Sequence, residues 1–139
     1  MKKILVLCTG NSCRSQIAEA YLRKYAGGKA EIYSAGIEAH GLNPNAVKTM
    51  LEDGIDISGQ TSNLIDDYLG MEFDFVITVC DHANEVCPVF PSHAKKIHHN
   101  FPDPAKFKGD AEQTAGAFRA VREQIKVWCS DFASKEQLV

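Results

Sequence analysis

The segment ILVLCTGNSCRSQIAEAYL, near the start of the chain, sets five residues between Cys8 and Arg14: Thr9, Gly10, Asn11, Ser12 and Cys13. A loop of small polar residues that curls back on itself can aim successive backbone N–H groups at one point, making a nest for an anion. Arg14 adds a planar fork of donors matched to two oxygens of a tetrahedral oxyanion. The same positive environment is expected to lower the pKa of Cys8 and hold it as thiolate, the nucleophilic form. Gly10 lets backbone come close to a ligand, and Asn11 tolerates the left-handed conformation such a loop needs. Ser15 is expected to cap the helix that follows and to donate a hydrogen bond toward the Cys8 sulfur. The oxyanion-binding candidates are thus Thr9, Gly10, Asn11, Ser12, Cys13 and Arg14, with Cys8 as the attacking atom. A nucleotide-binding P-loop would end in Gly-Lys-Ser/Thr; this one does not, which excludes ATP and GTP.

A second set of sulfurs lies in DFVITVCDHANEVCPVFP. Cys80 ends an apolar run, as Cys8 does, and Cys87 follows after six residues. Parallel strands end on one rim of a sheet, where open α/β sheets carry their sites. Neighbouring strands lie about 4.8 Å apart, comparable with the roughly 4.4–6.8 Å Cα separation of a disulfide. If the two strands are neighbours, Cys80 can reach Cys8. Two thiols that become a disulfide deliver two electrons, so the pattern fits reduction of an oxyanion as well as ester hydrolysis. Two other readings stay open. Cys80 and Cys87 could be buried small residues, or they could join His82 and one of His98 or His99 around zinc, although the spacing matches no common finger or ribbon. Asp103, in NFPDPAK, is the acid candidate, able to protonate a departing oxygen; Asp-Pro is also a plain turn signal. Cys13 reads as loop wall and off-pathway disulfide partner, Cys129 as core filling, and His82 as a solvated loop histidine.

The elements that must position these groups alternate. Lys3–Leu7 reads as a buried strand of a parallel sheet. Ser15–Tyr25 is helical, with Ile17, Ala18, Tyr21, Leu22 and Tyr25 on one face and Gly27-Gly28 as the stop. Glu31–Ser34 is a second strand. Asn43-Pro44 opens a helix running through Met50 and Leu51 to Gly54. Thr61 or Ser62 is expected to cap a short helix containing Leu64 and Ile65. Phe73–Val79 is a third strand and Lys96–His98 a short fourth. Ala111–Phe132 is the final helix, its stripe made of Phe118, Val121, Ile125, Trp128 or Cys129, and Phe132. Strand and helix in alternation predict one domain over residues 1–139, a parallel α/β sheet with helices on both faces.

With 139 residues, 45% hydrophobic and 24% charged, the chain is of soluble globular type. A net charge of -3 gives no electrostatic case for nucleic acid or an anionic membrane. The apolar run before Cys8 is too short for a signal-peptide core, so the expected location is the cytoplasm. Five cysteines, an odd number, argue against a disulfide framework and for reactive thiols. A small monomer is the default.

CTGNSCRSQIAEA, followed by YSAG and GIDISGQTS, resembles the low-molecular-weight protein tyrosine phosphatase fold family, and within it the thioredoxin-coupled arsenate reductases. The resemblance implies a four-stranded parallel sheet flanked by helices, with the anion loop after the first strand. It implies an order of events for arsenate, with phosphate as its analogue. Cys8 forms an arseno-thiol adduct held by Arg14 and the loop amides. Cys80 attacks the Cys8 sulfur, releasing arsenite, and Cys87 then attacks Cys80, leaving Cys80–Cys87 for thioredoxin to reduce. Segment 80–91 is expected to be mobile, because Cys87 must move. Asp103-Pro104-Ala105 matches the reductases' Asp-Pro-Ala, where phosphatases more often carry an aromatic residue; Thr61-Ser62 is also reductase-like. Pro102 stands where the reductases commonly have a second acid, and His99 where they have tryptophan. The potassium ligands of some relatives match Asn11, Glu19 and Ser34, but their aspartate is Asn63 here. No cation site is predicted, and Glu19 reads as a solvated helix residue. No cofactor is required. The alternative is a phosphatase acting on phosphate monoesters through Cys8, Arg14 and Asp103, an activity expected to persist as a side reaction of a reductase. A third reading is a redox-sensing or metal-binding module without turnover.

Overall fold

In the computed structural model, which describes residues 1–87 and 94–138, the chain begins with strand β1, Lys2–Cys8. Ile4 to Leu7 are fully buried, as a continuous apolar run in the middle of a parallel sheet must be. Helix α1 (Arg14–Ala26) follows and stops at Gly27, whose left-handed φ of 55° lets its N–H return to the Arg23 carbonyl. Strand β2 covers Ala30–Gly36, longer at both ends than the β-branched core of the run suggests. Helix α2 (Pro44–Glu52) is opened by Asn43, whose side chain accepts from the Asn45 amide, with proline in the first turn.

Strand β3 is Phe75–Thr78, helix α3 is Asp81–Val86, and strand β4 is Lys95–His98. Helix α4 spans Ala111–Lys135, a turn beyond Phe132, and starts at a reciprocal Asp110–Gln113 capping box. The predicted stripe is buried with Cys129 as its member; that thiol lies against the Ala18 carbonyl of α1 at 3.7 Å.

The four strands are all parallel, in the order β2-β1-β3-β4. The faces can be told from alternation along β2. Ser34 bonds to Glu19 of α1, while Tyr33 on the other face packs against Tyr68 and Phe73, with ring centroids 5.6 and 5.9 Å away. Helix α4 packs on α1 and α2. The chain leaves β1 toward one edge and β3 toward the other, so the sheet's switch point lies between the central strands. A crevice opens there beyond their C-terminal ends. Among the described residues no helix is long and apolar enough to cross a membrane.

Two expectations are corrected. Thr61 and Ser62 cap no helix: a 3-10 turn starts at Ile65 with Leu64 before it and no side-chain cap. Ser62 instead donates to the Gly10 carbonyl at 3.3 Å. The DHANEV stretch, read as loop, is α3; six residues are too few to display a helical period.

Candidate active site

Residues 8–14 turn from the end of β1 into α1, and the loop's carbonyls are all engaged from outside. Ile37, Glu38, His40 and Asn43 donate backbone N–H bonds to the carbonyls of Cys8, Thr9, Gly10 and Ser12, while Ile17 of α1 donates to Cys13. Gln16 Nε2 donates to the Asn11 carbonyl. In a planar trans peptide the C=O and N–H point opposite ways. Carbonyls strapped outward therefore leave successive amides facing inward, beside the positive end of α1.

Asn11 takes the left-handed backbone expected of it, with φ of 47°. Its buried side chain donates to Ser15 Oγ (2.8 Å) and Ser34 Oγ (3.0 Å) and accepts from the Asn63 amide (2.7 Å). Gly36, in the YSAG motif, admits the loop: a Cβ there would sit 2.7 Å from the Thr9 carbonyl oxygen and 2.8 Å from the Asn11 nitrogen. At Gly10 the missing side chain makes room for the His40 ring rather than for a ligand. Ser15 is not the cap. Cys13 holds that position, with no side-chain cap bond, and Ser15 lies inside α1 as acceptor from Asn11.

The loop encloses a cavity of about 280 Å³ lined by Cys8, Cys13, Arg14, His40, Asp103 and Lys106, among others. Arg14 is buried, donates to the Phe101 carbonyl at 3.0 Å and faces Asp103 at 3.6 Å. Asp103 sits at the start of a 3-10 turn, Pro104–Lys106, and accepts from the Ala105 amide. The loop thus keeps Asp103 at the cradle with Pro102 in place. His99, lacking the tryptophan's bulk, packs 4.6 Å from Phe101 and 6.0 Å from Trp128, ring centre to ring centre. His40 and Lys106 were not singled out from the sequence: neither stands in a pattern that ties it to the loop.

Cys80 follows β3 and immediately precedes α3. Leu7 pairs with Thr78, and the Val79 amide donates to the Leu7 carbonyl, which brings Cys80 level with Cys8. The two thiols lie close enough to shift each other's titration, and Thr9 Oγ1 lies 3.3 Å from Cys80 Sγ. Cys8 beside it, then Thr9, the Ala83 amide and the field of Arg14, outweigh burial and pull Cys80 down to about 5. Cys80 and burial push Cys8 the other way, against Arg14 and the Thr9 amide. The positive surroundings expected to lower Cys8 are present, and its neighbouring thiol and burial oppose them. Burial, with Asp103 nearby, pushes Cys13 up to about 12.

Cys87 lies at the other end of α3, half-buried, its thiol raised by burial and lowered by Lys96. Seven residues at about 1.5 Å each separate the Cys80 and Cys87 Cα atoms by roughly 10 Å along the helix, beyond the roughly 7 Å limit for a disulfide. No disulfide joins any of the five cysteines. Residues 88–91 of the segment expected to be mobile lie outside the described residues. His82 is exposed on α3, and His98, of the zinc alternative, is bonded to Thr78 and Asp81. Among the described residues no three His, Cys, Asp or Glu side chains gather as a candidate metal site.

Glu19 is corrected as well. It is buried, not solvated, bonded to Ser34 at 2.6 Å and to Arg23 at 2.9 Å, and burial raises its pKa.

A family model described as low molecular weight phosphotyrosine protein phosphatase matches residues 3–138. A protein of Halalkalibacterium halodurans named arsenate reductase is 54% identical over 132 residues, 95% of each chain. Among solved structures, one titled an arsenate reductase in the phosphate binding state is 33% identical, covering 97% of this chain and 98% of the other at a TM-score of 0.78. A thioredoxin-dependent arsenate reductase of Corynebacterium glutamicum is 27% identical at a TM-score of 0.77, over 99% of this chain and 63% of that one.

Proposed function

The chain belongs to the low molecular weight phosphotyrosine protein phosphatase family, and from that premise we propose that its chemistry is the two-electron reduction of arsenate to arsenite by three of its own thiols. One observation carries the reading: a second cysteine, Cys80, is set beside the cysteine of the oxyanion cradle by the β1–β3 pairing, with Thr9 of the loop 3.3 Å from its sulfur. Ester hydrolysis has no use for that sulfur; reduction needs it.

Arsenate enters the cradle between Arg14 and the loop amides. Cys8 hands its proton to the neighbouring Cys80, and the Cys8 thiolate attacks arsenic. Asp103, across from Arg14, protonates the departing oxygen. Ser15, oriented by Asn11, donates to the Cys8 sulfur and steadies it as a leaving group. Cys80 then gives up that proton to solvent, and its thiolate attacks Cys8 Sγ. The sulfur–arsenic bond breaks, its electron pair stays on arsenic, and arsenite leaves behind a Cys8–Cys80 disulfide. Cys87 attacks Cys80, Cys8 departs as thiolate, and a Cys80–Cys87 disulfide remains. Its roughly 10 Å starting separation requires α3 to unwind.

The product is a self-contained disulfide, the form of substrate that a small dithiol protein such as thioredoxin reduces by exchange; the Corynebacterium glutamicum relative's name supports that donor. A cycle that must return to three thiols belongs in a reducing compartment, the cytoplasm. No sulfur outside one chain is needed, so a monomer suffices. Phosphate, with the shape and charge of arsenate, binds the same cradle, and slow monoester hydrolysis persists as a side reaction.

Replacing Cys80 by serine tests this. Cys80→Ser is expected to release no arsenite while p-nitrophenyl phosphate hydrolysis stays within about threefold. Undiminished arsenite production by that variant would sink the proposal.

A further inference from the structure

Among its described side chains, helix α3 is fastened to the sheet mainly through polar groups, and this bears on how the cascade's last thiol exchange is set. Along residues 81–85 the one buried side chain is Ala83, too small to anchor a helix by apolar burial. The ties come instead from β3, β4 and the residues just after it. His98 Nδ1 lies 2.8 Å from Thr78 Oγ1, and its Nε2 donates to Asp81 Oδ1 at 2.7 Å. The Asp81 amide donates to Asn100 Oδ1 at 3.1 Å. Farther along the helix, Lys96 Nζ donates to the Asn84 carbonyl at 3.3 Å. Asp81 is the residue after Cys80, so the Thr78–His98–Asp81 chain of bonds fixes the turn that holds Cys80 against Cys8.

We infer that Asp81 and His98 are positioning residues that clamp α3 in the dithiol form and so set the reduction potential of the Cys80–Cys87 couple. The inference rests on the cascade proposed above. In that step Cys87, having given its proton to solvent, attacks Cys80 Sγ, and the broken Cys8–Cys80 bond leaves its electron pair on Cys8. The clamp exists only while α3 is wound. Its bonds therefore favour the dithiol over the disulfide, and an oxidised chain is more readily reduced by its donor than an unclamped one would be. Asp81 is largely exposed, which keeps the effect modest and lets the helix release.

The test is equilibration of the full chain in thiol–disulfide buffers, with the Cys80–Cys87 disulfide quantified by mass mapping, for the unaltered chain, Asp81→Asn, His98→Gln and the double variant. Each single change is expected to shift the couple about threefold to fivefold toward the disulfide, a potential about 15–20 mV lower. The double variant should go no further than the larger single, because the carboxylate–imidazole bond is lost in all three. Affinity for inorganic phosphate should not move. Unshifted potentials, or additive shifts, would overturn the clamp while leaving the cascade standing. A matching loss of phosphate affinity would also overturn it, since the whole site would then be disturbed. Failure of the disulfide to form even in the unaltered chain would overturn clamp and cascade together.

Discussion

Cys8 and Cys80 lie side by side at the cradle and are shifted in opposite directions, and that has a pH signature. Cys80 ionises at about 5 in the fold against an ordinary 9.0, so between those values the folded chain binds fewer protons than the unfolded one. Stability therefore rises with pH across that window. Above about 9 the slope reverses, because Cys8 stays protonated in the fold. Urea midpoints from pH 5.5 to 8.5 should climb for the native chain and not for Cys8→Ala/Cys80→Ala; parallel curves would contradict the lowered Cys80. Arg14 gives a second test. Lysine keeps the charge but loses the fork that reaches Phe101 and faces Asp103, and Arg14→Lys should lower kcat/KM for arsenate on the order of 100-fold. At this scale the sequence was informative where chemistry imposes spacing: Cys8, Arg14 and Asp103 are gathered at one cavity. It was silent on His40 and Lys106, which reach the cavity through tertiary folding alone. It misjudged Glu19 and Ser15, whose partners Ser34 and Asn11 depend on how β2 and the loop come together.

Among the elements, the loop and α3 behave oppositely. The loop is held rigid by backbone straps from 37–43 and by the close approach at Gly36. Gly36→Ala should push Thr9 and Asn11 apart, costing about 1–3 kcal/mol of stability and most of the phosphate affinity; calorimetric melting with and without phosphate reads both. Helix α3 must give way. Amide exchange across residues 82–86 should be markedly faster in the Cys80–Cys87 disulfide form than in the dithiol form, and equal protection would contradict the unwinding. The long helices were legible because caps and stripes repeat the same message: Asn43-Pro44 and Gly27 end up where their backbone preferences direct. Helix α3 was not, since its signal is a few polar residues between two cysteines.

For the molecule as a whole, the decisive feature is strand order. Alternation of strand and helix made a parallel sheet foreseeable, but which strands adjoin is decided by packing of whole layers, which no local pattern encodes. The order β2-β1-β3-β4 makes β1 and β3 neighbours and brings Cys80, just past β3, level with Cys8 at the end of β1. The electron count tests that account most directly. Rapid quenching of the fully reduced chain with excess arsenate and no reductant should show two thiols lost for each arsenite formed, with the final disulfide mapped to Cys80–Cys87. Arsenite formed with all thiols intact, or a disulfide that leaves out Cys80, would contradict it.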